Sequence, residues 1–314
     1  MMVAGSGNIR VAVLGAAGFI GLNVVRQLAR LGVPGIVAAA RHTPAVEPLP
    51  GLSWHSVDLL DRSAVTAFFA TAKPTHVVNC VAHGTIPSRR EFDLSFRTNV
   101  TAALFAYRAA NANGALRYVH LGTCEEYGHR DRAIAEDEPL APEGNYAVSK
   151  AAGTYLLLEE ARSAATELII LRPFGTWGFG EAAHRLVPAI IAGAHEKRTI
   201  PMSDGEQVRD FALVNEVARV VAEITLNATP SKDAILNIGS GVPVSVREFS
   251  LRVADVLGCR ELLAFGTMPR RPHEAALMIP DVTRLRNVVD RLPASFDSDV
   301  VIAMRDAYER RNRP

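Results

Sequence analysis

Cysteine is scarce in this chain: Cys80, Cys124 and Cys259 are the only three among 314 residues. An odd number without close spacing builds neither a disulfide framework nor a zinc site, so no metal centre is expected. Net charge is equally sparse, +1 at pH 7 from 34 basic and 33 acidic side chains. So balanced a composition carries no electrostatic footprint for a polyanion, and nucleic acid is set aside as a partner. Long apolar runs are also missing. The first, Ile9 to Leu14, is far too short to span a bilayer and lacks a signal peptide's basic start and cleavage site. No membrane contact is expected, and the cytoplasm is the default location. There is no internal repeat, low-complexity tract or linker. What remains is 48% hydrophobic and 21% charged, a composition that folds around a sizeable core.

Strand-length apolar runs alternate with helical stretches through the first half. Strands are expected at Arg10–Leu14, Ile36–Ala40, Leu52–Val57, His76–Val81, Leu116–Leu121 and Leu168–Leu171. Helices are expected at Gly18–Leu31, Arg62–Ala72, Glu91–Asn113 and Tyr146–Ala165. Short continuous apolar strands in a βαβα rhythm indicate an α/β fold whose parallel sheet is covered on both faces. After Pro173 the rhythm loosens. Helices at His184–Ala194, Val214–Leu226 and Val246–Leu257 alternate with irregular, Gly- and Pro-rich stretches.

The first strand runs into Gly15-Ala16-Ala17-Gly18-Phe19-Ile20-Gly21. Glycines spaced in this way let the chain turn sharply, bring backbone N–H groups to a pyrophosphate and let the helix pack on the strand. The strand-then-helix context raises the motif above an ordinary tight turn. Cofactor contacts are therefore expected from Gly15, Gly18, Phe19, Ile20 and Gly21. At the end of the second strand, Ala38-Ala39-Ala40-Arg41 lacks the carboxylate that grips the ribose hydroxyls of NAD. Arg41 could instead grip a 2′-phosphate, which points to NADP(H) ahead of NAD(H), unless Arg41 is merely solvated. Asp58, with Leu59 beside it, is placed to meet the adenine; the alternative is an early helix N-cap.

Tyr146-Ala147-Val148-Ser149-Lys150 sets a tyrosine and a lysine four apart, on one helical face. An ammonium about 4 Å from a phenolate contributes about 4 kcal/mol at an effective dielectric near 20, lowering the tyrosine pKa by roughly three units. The pair could then exchange protons with an alcohol or ketone near neutral pH. A hydroxyl to orient the reacting oxygen is available in Leu121-Gly122-Thr123-Cys124-Glu125-Glu126-Tyr127-Gly128, at the carboxyl end of the fifth strand. Ligands of open α/β sheets bind at that edge. Glu125 is a candidate for the same cleft, although it and Glu126 read equally well as a solvated pair.

Taken together, the glycine loop, Thr123 and Tyr146-x-x-x-Lys150 resemble the extended short-chain dehydrogenase/reductases acting on nucleotide sugars, the NAD-dependent epimerase/dehydratase family. The resemblance runs over nearly the whole chain. Asn79-Cys80-Val81-Ala82 is similar to the element that lines the cofactor, and Arg97-Thr98-Asn99-Val100 to the Asn-Val element of the next helix. Val81, Ala82 and Asn99 are thereby implied at the cofactor. Glu138-Pro139-Leu140-Ala141-Pro142 resembles the lead into the catalytic helix, and Leu171-Arg172-Pro173-Phe174 the opening of the substrate segment, with Pro173 beside the cofactor. Arg209-Asp210-Phe211 resembles the family's Arg-Asp-Phe, whose arginine grips the nucleotide diphosphate. Asn237-Ile238-Gly239-Ser240-Gly241 and Arg271-Pro272 complete the series. Departures are concentrated on the substrate side: Gly175, Phe179 and His273-Glu274 replace the usual asparagine, proline and Gly-Asp. The family's dTDP-glucose 4,6-dehydratases carry Thr-Asp-Glu where this chain reads Thr123-Cys124-Glu125.

The resemblance implies a Rossmann doubly wound parallel sheet of about seven strands with a smaller C-terminal α/β substrate domain. Residues 1–172, with 208–240 returning to them, would bind the dinucleotide; 173–207 and 241–314 would bind the nucleotide sugar. Implied roles are catalytic for Thr123, Tyr146, Lys150 and Glu125, cofactor-binding as well for Tyr146 and for Lys150, which would hold the nicotinamide ribose, and substrate-binding for Cys124, Arg209 and Arg271. The missing aspartate and Arg41 lead to an expected NADPH-dependent reduction of a 4-keto-6-deoxy nucleotide sugar. The alternative is an epimerase, 4,6-dehydratase or decarboxylase that keeps a tightly bound NAD(P). The intact triad speaks against a non-catalytic cofactor sensor. Relatives pair through the two helices that precede and carry Tyr146-x-x-x-Lys150, so a homodimer is expected.

Overall fold

The computed structural model describes residues 9–45, 47–84, 91–227, 234–270 and 274–312. Seven parallel strands form its main sheet. They are β1 (Arg10–Leu14), β2 (Gly35–Ala40), β3 (Leu52–Ser56), β4 (His76–Asn79), β5 (Arg117–Leu121), β6 (Glu167–Pro173) and β10 (Ile235–Ile238). The order is β10-β6-β5-β4-β1-β2-β3. Strand order reverses between β1 and β4, which pair in parallel with Leu14 opposite Asn79. At such a switch point the loops leaving the two carboxyl ends diverge and open a crevice.

Alternation along the strands loads both faces of the sheet. Val11, Val13, Val78, Val119, Ile169 and Leu171 enter one core, shared with α1 (Phe19–Arg30) and α7 (Val214–Leu226). Ala12, Leu14, Val77, Tyr118, Leu168 and Ile170 enter the other. It is covered by α2 (Arg62–Ala72), α4 (Ala103–Ala112) and α5 (Gly144–Ala161). The sheet is thus the doubly wound sheet expected, with small shifts of boundary: β4 stops at Asn79, and α5 starts two residues before Tyr146.

The helix expected over Glu91–Asn113 is interrupted. Between α3 (Phe92–Phe96) and α4 the backbone takes a π-helical turn at Arg97–Ala102. Gly153 of α5 meets it: a Cβ there would lie 2.3 Å from the carbonyl oxygen of Asn99. Helical periodicity does not register a widened turn, because the turn answers to the neighbouring helix.

A second region packs beyond the carboxyl ends of the strands. Strands β7 (Gly175–Trp177), β9 (Val208–Leu213), β11 (Pro243–Ser245) and β13 (Leu277–Met278) form a small sheet, and β8 (Ile200–Met202) pairs β12 (Leu263–Phe265). Three helices cover them: α6 (Leu186–Glu196), α8 (Val246–Leu257) and α10 (Ser298–Arg311). Phe211 stacks on Phe249 at 3.7 Å between ring centroids, with Trp177 edge-on to Phe249. Of the segment 208–240, assigned above to the dinucleotide-binding part, the first residues pair within the small sheet. Residues 208–213 are β9, which pairs β7, β11 and β13; the return begins with α7. The aromatic Phe211 belongs to the second core, and an apolar run alone does not say which sheet it joins. Among the described residues no helix is long and apolar enough to cross a membrane.

Candidate active site

The first face of the site is backbone. Gly15 leaves β1 at φ +72°, and its N–H, with that of Ala16, donates to Ala39 O on β2 at 2.9 and 3.1 Å. A Cβ on Gly15 would stand 2.9 Å from Val81 Cγ2, and one on Gly21 would stand 2.3 Å from Gly15 O. Both positions exclude a side chain for lack of space. Gly18 caps α1 with no side-chain hydrogen bond, so the N-terminal amides and their partial positive charge are presented by bare backbone. A tight glycine turn that presents uncapped helix amides at the switch point fits a dinucleotide pyrophosphate. Phe19 and Ile20 form the first turn of α1, and Val81 and the exposed Ala82 leave β4 beside the loop.

Further along the same edge, Arg41 and Asp58 are exposed at the ends of β2 and β3, and Leu59 is buried. Ser56 Oγ donates to Arg41 O at 3.1 Å, tying the two loops together. Asp58 accepts from Leu60 N at 3.0 Å, while the N-cap of α2 is Asp61, which accepts from Ser63 N and Ala64 N. The N-cap alternative for Asp58 is therefore excluded.

Asn99 is buried on the π-helical turn. Its Oδ1 accepts from His83 N at 2.8 Å, and its Nδ2 donates to His83 O and to Ser149 Oγ, both at 2.9 Å. The residue implied at the cofactor thus clamps the loop after β4 to α5. Gly84 in that loop comes so close to Tyr146 that a Cβ on it would lie 3.4 Å from the tyrosine Cβ. Pro173 closes β6 on the same edge.

The second face is the turn that leaves β5. Thr123 Oγ1 accepts from Glu125 N at 3.3 Å, and Glu126 Oε1 accepts from Thr123 N at 3.0 Å, a reciprocal cap. Glu126 is fully buried and pairs with Arg172 Nε on β6 at 2.9 Å. The Arg172 guanidinium in turn lies over the Tyr127 ring, 4.5 Å from its centroid. The glutamates that read as an equivalent pair are therefore unlike: Glu126 is the buried anchor of the turn, and Glu125 is exposed. Thr123 and Tyr146 are both buried, and the Thr123 side chain acts on the Tyr146 phenol to favour its ionised form.

One sequence expectation fails here. Tyr146 is pushed up from its ordinary pKa, first by burial and then by the negative charge of Glu125. The Lys150 Nζ does not counter this. It donates to Leu121 O at 2.5 Å and lies 3.2 Å from His120 Nε2. Burial lowers its own pKa to about 8. Helical spacing brings Tyr146 and Lys150 to one face, but the lysine's long chain ends where a carbonyl and an imidazole receive it.

On the substrate side, Arg209 donates to Glu274 at 3.2 Å, and its positive charge reaches Cys124. Burial pushes the Cys124 thiol up to about 12. Arg271 lies outside the described residues. Asp210, fully buried, accepts from Ser240 N, Ser240 Oγ and Gly241 N at 2.7–2.9 Å. Tyr127 Oη donates to Asn237 Oδ1 at 2.8 Å. Both contacts fasten the Asn237–Gly241 segment to the site. Arg172, His120 and Asp210 were given no role from sequence, and Glu126 was weighed only as one of a pair with Glu125. Charged or titratable side chains in runs that are otherwise apolar, at strand ends, were the available signal.

Comparison with known proteins places this geometry. The model of the family described as "NAD dependent epimerase/dehydratase family" matches residues 11–239. The dTDP-glucose 4,6-dehydratase of Neisseria meningitidis serogroup B is 28% identical over 240 residues, covering 68% of this chain and 67% of that protein. The UDP-glucose 4-epimerase of Lacticaseibacillus casei is 27% identical over 316 residues, covering 93% and 94%. Among solved structures, MoeE5 in complex with UDP-glucose and NAD superposes with a TM-score of 0.84 at 27% identity, covering 97% of this chain and 100% of that one.

Proposed function

Because the chain belongs to the NAD dependent epimerase/dehydratase family, we propose that it epimerises a nucleotide-activated sugar at C4 with NAD(H) retained through the cycle. One observation carries the choice within the family. Elimination of water from C5 and C6 needs an acid for the departing hydroxyl. Where the family's dTDP-glucose 4,6-dehydratases carry aspartate, this chain has Cys124, a thiol whose pKa burial raises to about 12 and which is a poor acid for that departure. Epimerisation needs no such acid. It needs only a carbinol proton removed and returned, which is the task of Thr123, Tyr146 and Lys150.

When bound, the nicotinamide would accept a hydride from C4 and give it back. The glycine cradle of Gly15 and Gly21 and the uncapped α1 terminus would hold its pyrophosphate. Thr123 and Tyr146, both buried at the carboxyl edge of the sheet, would receive the C4 oxygen between them. Tyr146 would take the hydroxyl proton during oxidation and return it during reduction. Arg209, steadied by Glu274, would meet the sugar-nucleotide diphosphate. Arg271 is proposed for the same charge.

The test is incubation with UDP- and dTDP-hexoses in deuterated water, following sugar and cofactor together. Epimerisation yields the C4 epimer without solvent deuterium on carbon and without net cofactor change. A dehydratase places deuterium at C5, and a decarboxylase, offered UDP-glucuronic acid in a parallel assay, releases carbon dioxide. The second reading, reduction of a 4-keto-6-deoxy nucleotide sugar, would consume one NADPH per turnover and draws on Arg41, exposed after β2, as the residue to meet a 2′-phosphate.

A homodimer is proposed through α3 and α5. Phe92 on α3 and Val148, Tyr155 and Leu156 on α5 are exposed, between 36% and 61%. A second copy of the chain would cover this face by helix packing. Light scattering at micromolar concentration should give twice the chain mass, and Tyr155→Asp should halve it; a wild-type monomer overturns the proposal.

A further inference from the structure

Asn23 stands on the second turn of α1 and is 9% exposed. Its amide nitrogen carries two protons, and both are used. One goes to Phe19 O, in the first turn of the same helix, at 2.8 Å; the other goes to Phe179 O, 156 residues later, at 3.1 Å. One buried amide therefore joins the helix that rises from the glycine loop to the segment that leaves β7 for α6.

That segment is a turn closed on itself. Glu181 N donates to Gly178 O at 3.1 Å, and Gly178 N donates back to Glu181 Oε2 at 3.4 Å. Arg185 Nε donates to Glu181 Oε1 at 3.3 Å. The Glu181 side chain is 5% exposed, so water offers its carboxylate little alternative to these partners. Burial raises that carboxyl to about 7, and Arg185 acts against the rise.

The turn settles on two helices. A Cβ on Gly180 would lie 3.6 Å from Cδ2 of the Phe19 ring, and one on Gly178 would lie 2.9 Å from Val214 Cγ1, at the start of α7. Phe179, which replaces the usual proline, gives its carbonyl to Asn23 and leaves its ring 36% exposed. The carbonyl is what the position contributes here, and a proline would offer it equally. The glycine loop beside this turn has little of its own to hold a ligand with. Ala17 and Gly18 are exposed, and α1 begins without a side-chain cap. Backbone dipoles attract a pyrophosphate but do not enclose it, so slow release calls for a neighbouring element that must move first.

We propose that Asn23 is a positioning residue for cofactor retention: it clasps the Gly178–Glu181 turn to the first turn of α1, and opening of this clasp governs how fast a nicotinamide dinucleotide leaves the glycine loop. The clasp joins the two regions of the chain at the loop itself, so the second region takes part in holding the cofactor as well as the sugar. The proposal rests on the nicotinamide reading of that loop, and it holds equally for epimerisation or reduction.

Two measurements test it, both without sugar and at about pH 8, above the raised pKa of Glu181. The first is stopped-flow displacement of bound NADH or NADPH. Asn23→Ala should raise the dissociation rate about fivefold to tenfold, the effect of one buried hydrogen bond, and leave the association rate within twofold. An unchanged dissociation rate overturns the proposal, and so does a matching change in association, which would mean a damaged glycine loop. The second is hydrogen exchange of the cofactor-free protein. Amides of 178–185 should exchange faster in Asn23→Ala while those of β1 do not. Unmoved exchange at 178–185, or equal acceleration through β1, overturns the proposal. If Asn23→Ala does not fold, Glu181→Ala loosens the same turn from its other end and should raise the dissociation rate alike; an unaltered rate there overturns the proposal. No sugar takes part, so a failed epimerase reading leaves both measurements unchanged and the two failures are distinguishable.

Discussion

At the end of β1 the chain turns on backbone alone; at the end of β5 it turns around a fully buried carboxylate. The Gly15–Gly21 loop contributes carbonyls, amides and space too tight for a Cβ, and no side-chain cap. The Thr123–Tyr127 turn is organised by Glu126, which receives the Thr123 amide on one oxygen and Arg172 on the other. The difference suits what each element would hold. A pyrophosphate already carries charge, so neutral oriented dipoles suffice and require no counter-ion when empty. A sugar alcohol is neutral, and its proton is the object of the chemistry. The groups around it must keep fixed positions and protonation states in a dry setting, which takes buried, mutually neutralising charges.

Breaking each element in turn should expose this contrast. The largest effect is expected for Glu126→Gln. Arg172 would remain 1% exposed without its counter-charge, which costs about 3–5 kcal/mol for a broken buried pair. Urea unfolding should show that loss; a cost under about 1 kcal/mol would mean the pair is not the anchor of the turn. Next, Arg41→Ala should weaken NADPH by about 1.5–3 kcal/mol, a lost charge-assisted contact, and leave NADH within twofold. Equal losses in a fluorescence titration would show that the guanidinium does not touch a 2′-phosphate. Gly21→Ala should lower stability by about 1–3 kcal/mol, since its Cβ must be accommodated against Gly15 O. It should also release the cofactor on gel filtration while leaving the strand-five turn intact. Retained cofactor at wild-type stability would show that the loop yields. The smallest effect is expected for Glu125→Gln. With no carbon acid to ionise, turnover should stay within about tenfold, or 1.4 kcal/mol. A fall of several hundredfold would restore a dehydratase or decarboxylase with Glu125 as its acid–base group.

The two elements also differ in how far they could be read beforehand. Glycine spacing after an apolar strand is a local signal, because the reasons for each glycine lie within a few residues or in the next strand. Tyr146 and Lys150 were readable in the same way, since helical geometry alone brings them to one face. The direction of Lys150 was not. Its Nζ is settled by His120 and by Leu121 O, 30 and 29 residues away. Glu125 and Glu126 are adjacent and identical in kind, yet one is exposed and the other carries the turn. Only the arrival of Arg172 on β6, 46 residues later, distinguishes them.

What the sequence by itself determined is whatever depends on backbone covalent geometry and short-range period: the doubly wound sheet, its order of strands and helices, the glycine loop, and the placing of Tyr146 and Lys150 on one face of α5. Only the tertiary structure decided that β9 leaves the large sheet, that the helix before β5 widens against Gly153, and that Asn99 clamps a loop. The same holds for the buried polar partners, Glu126 with Arg172 and Lys150 with His120. The physical reason is that burial and partner are properties of the packed chain. A charged or titratable side chain has no fixed role until low dielectric surrounds it and one neighbour, distant in sequence, completes its hydrogen bonds.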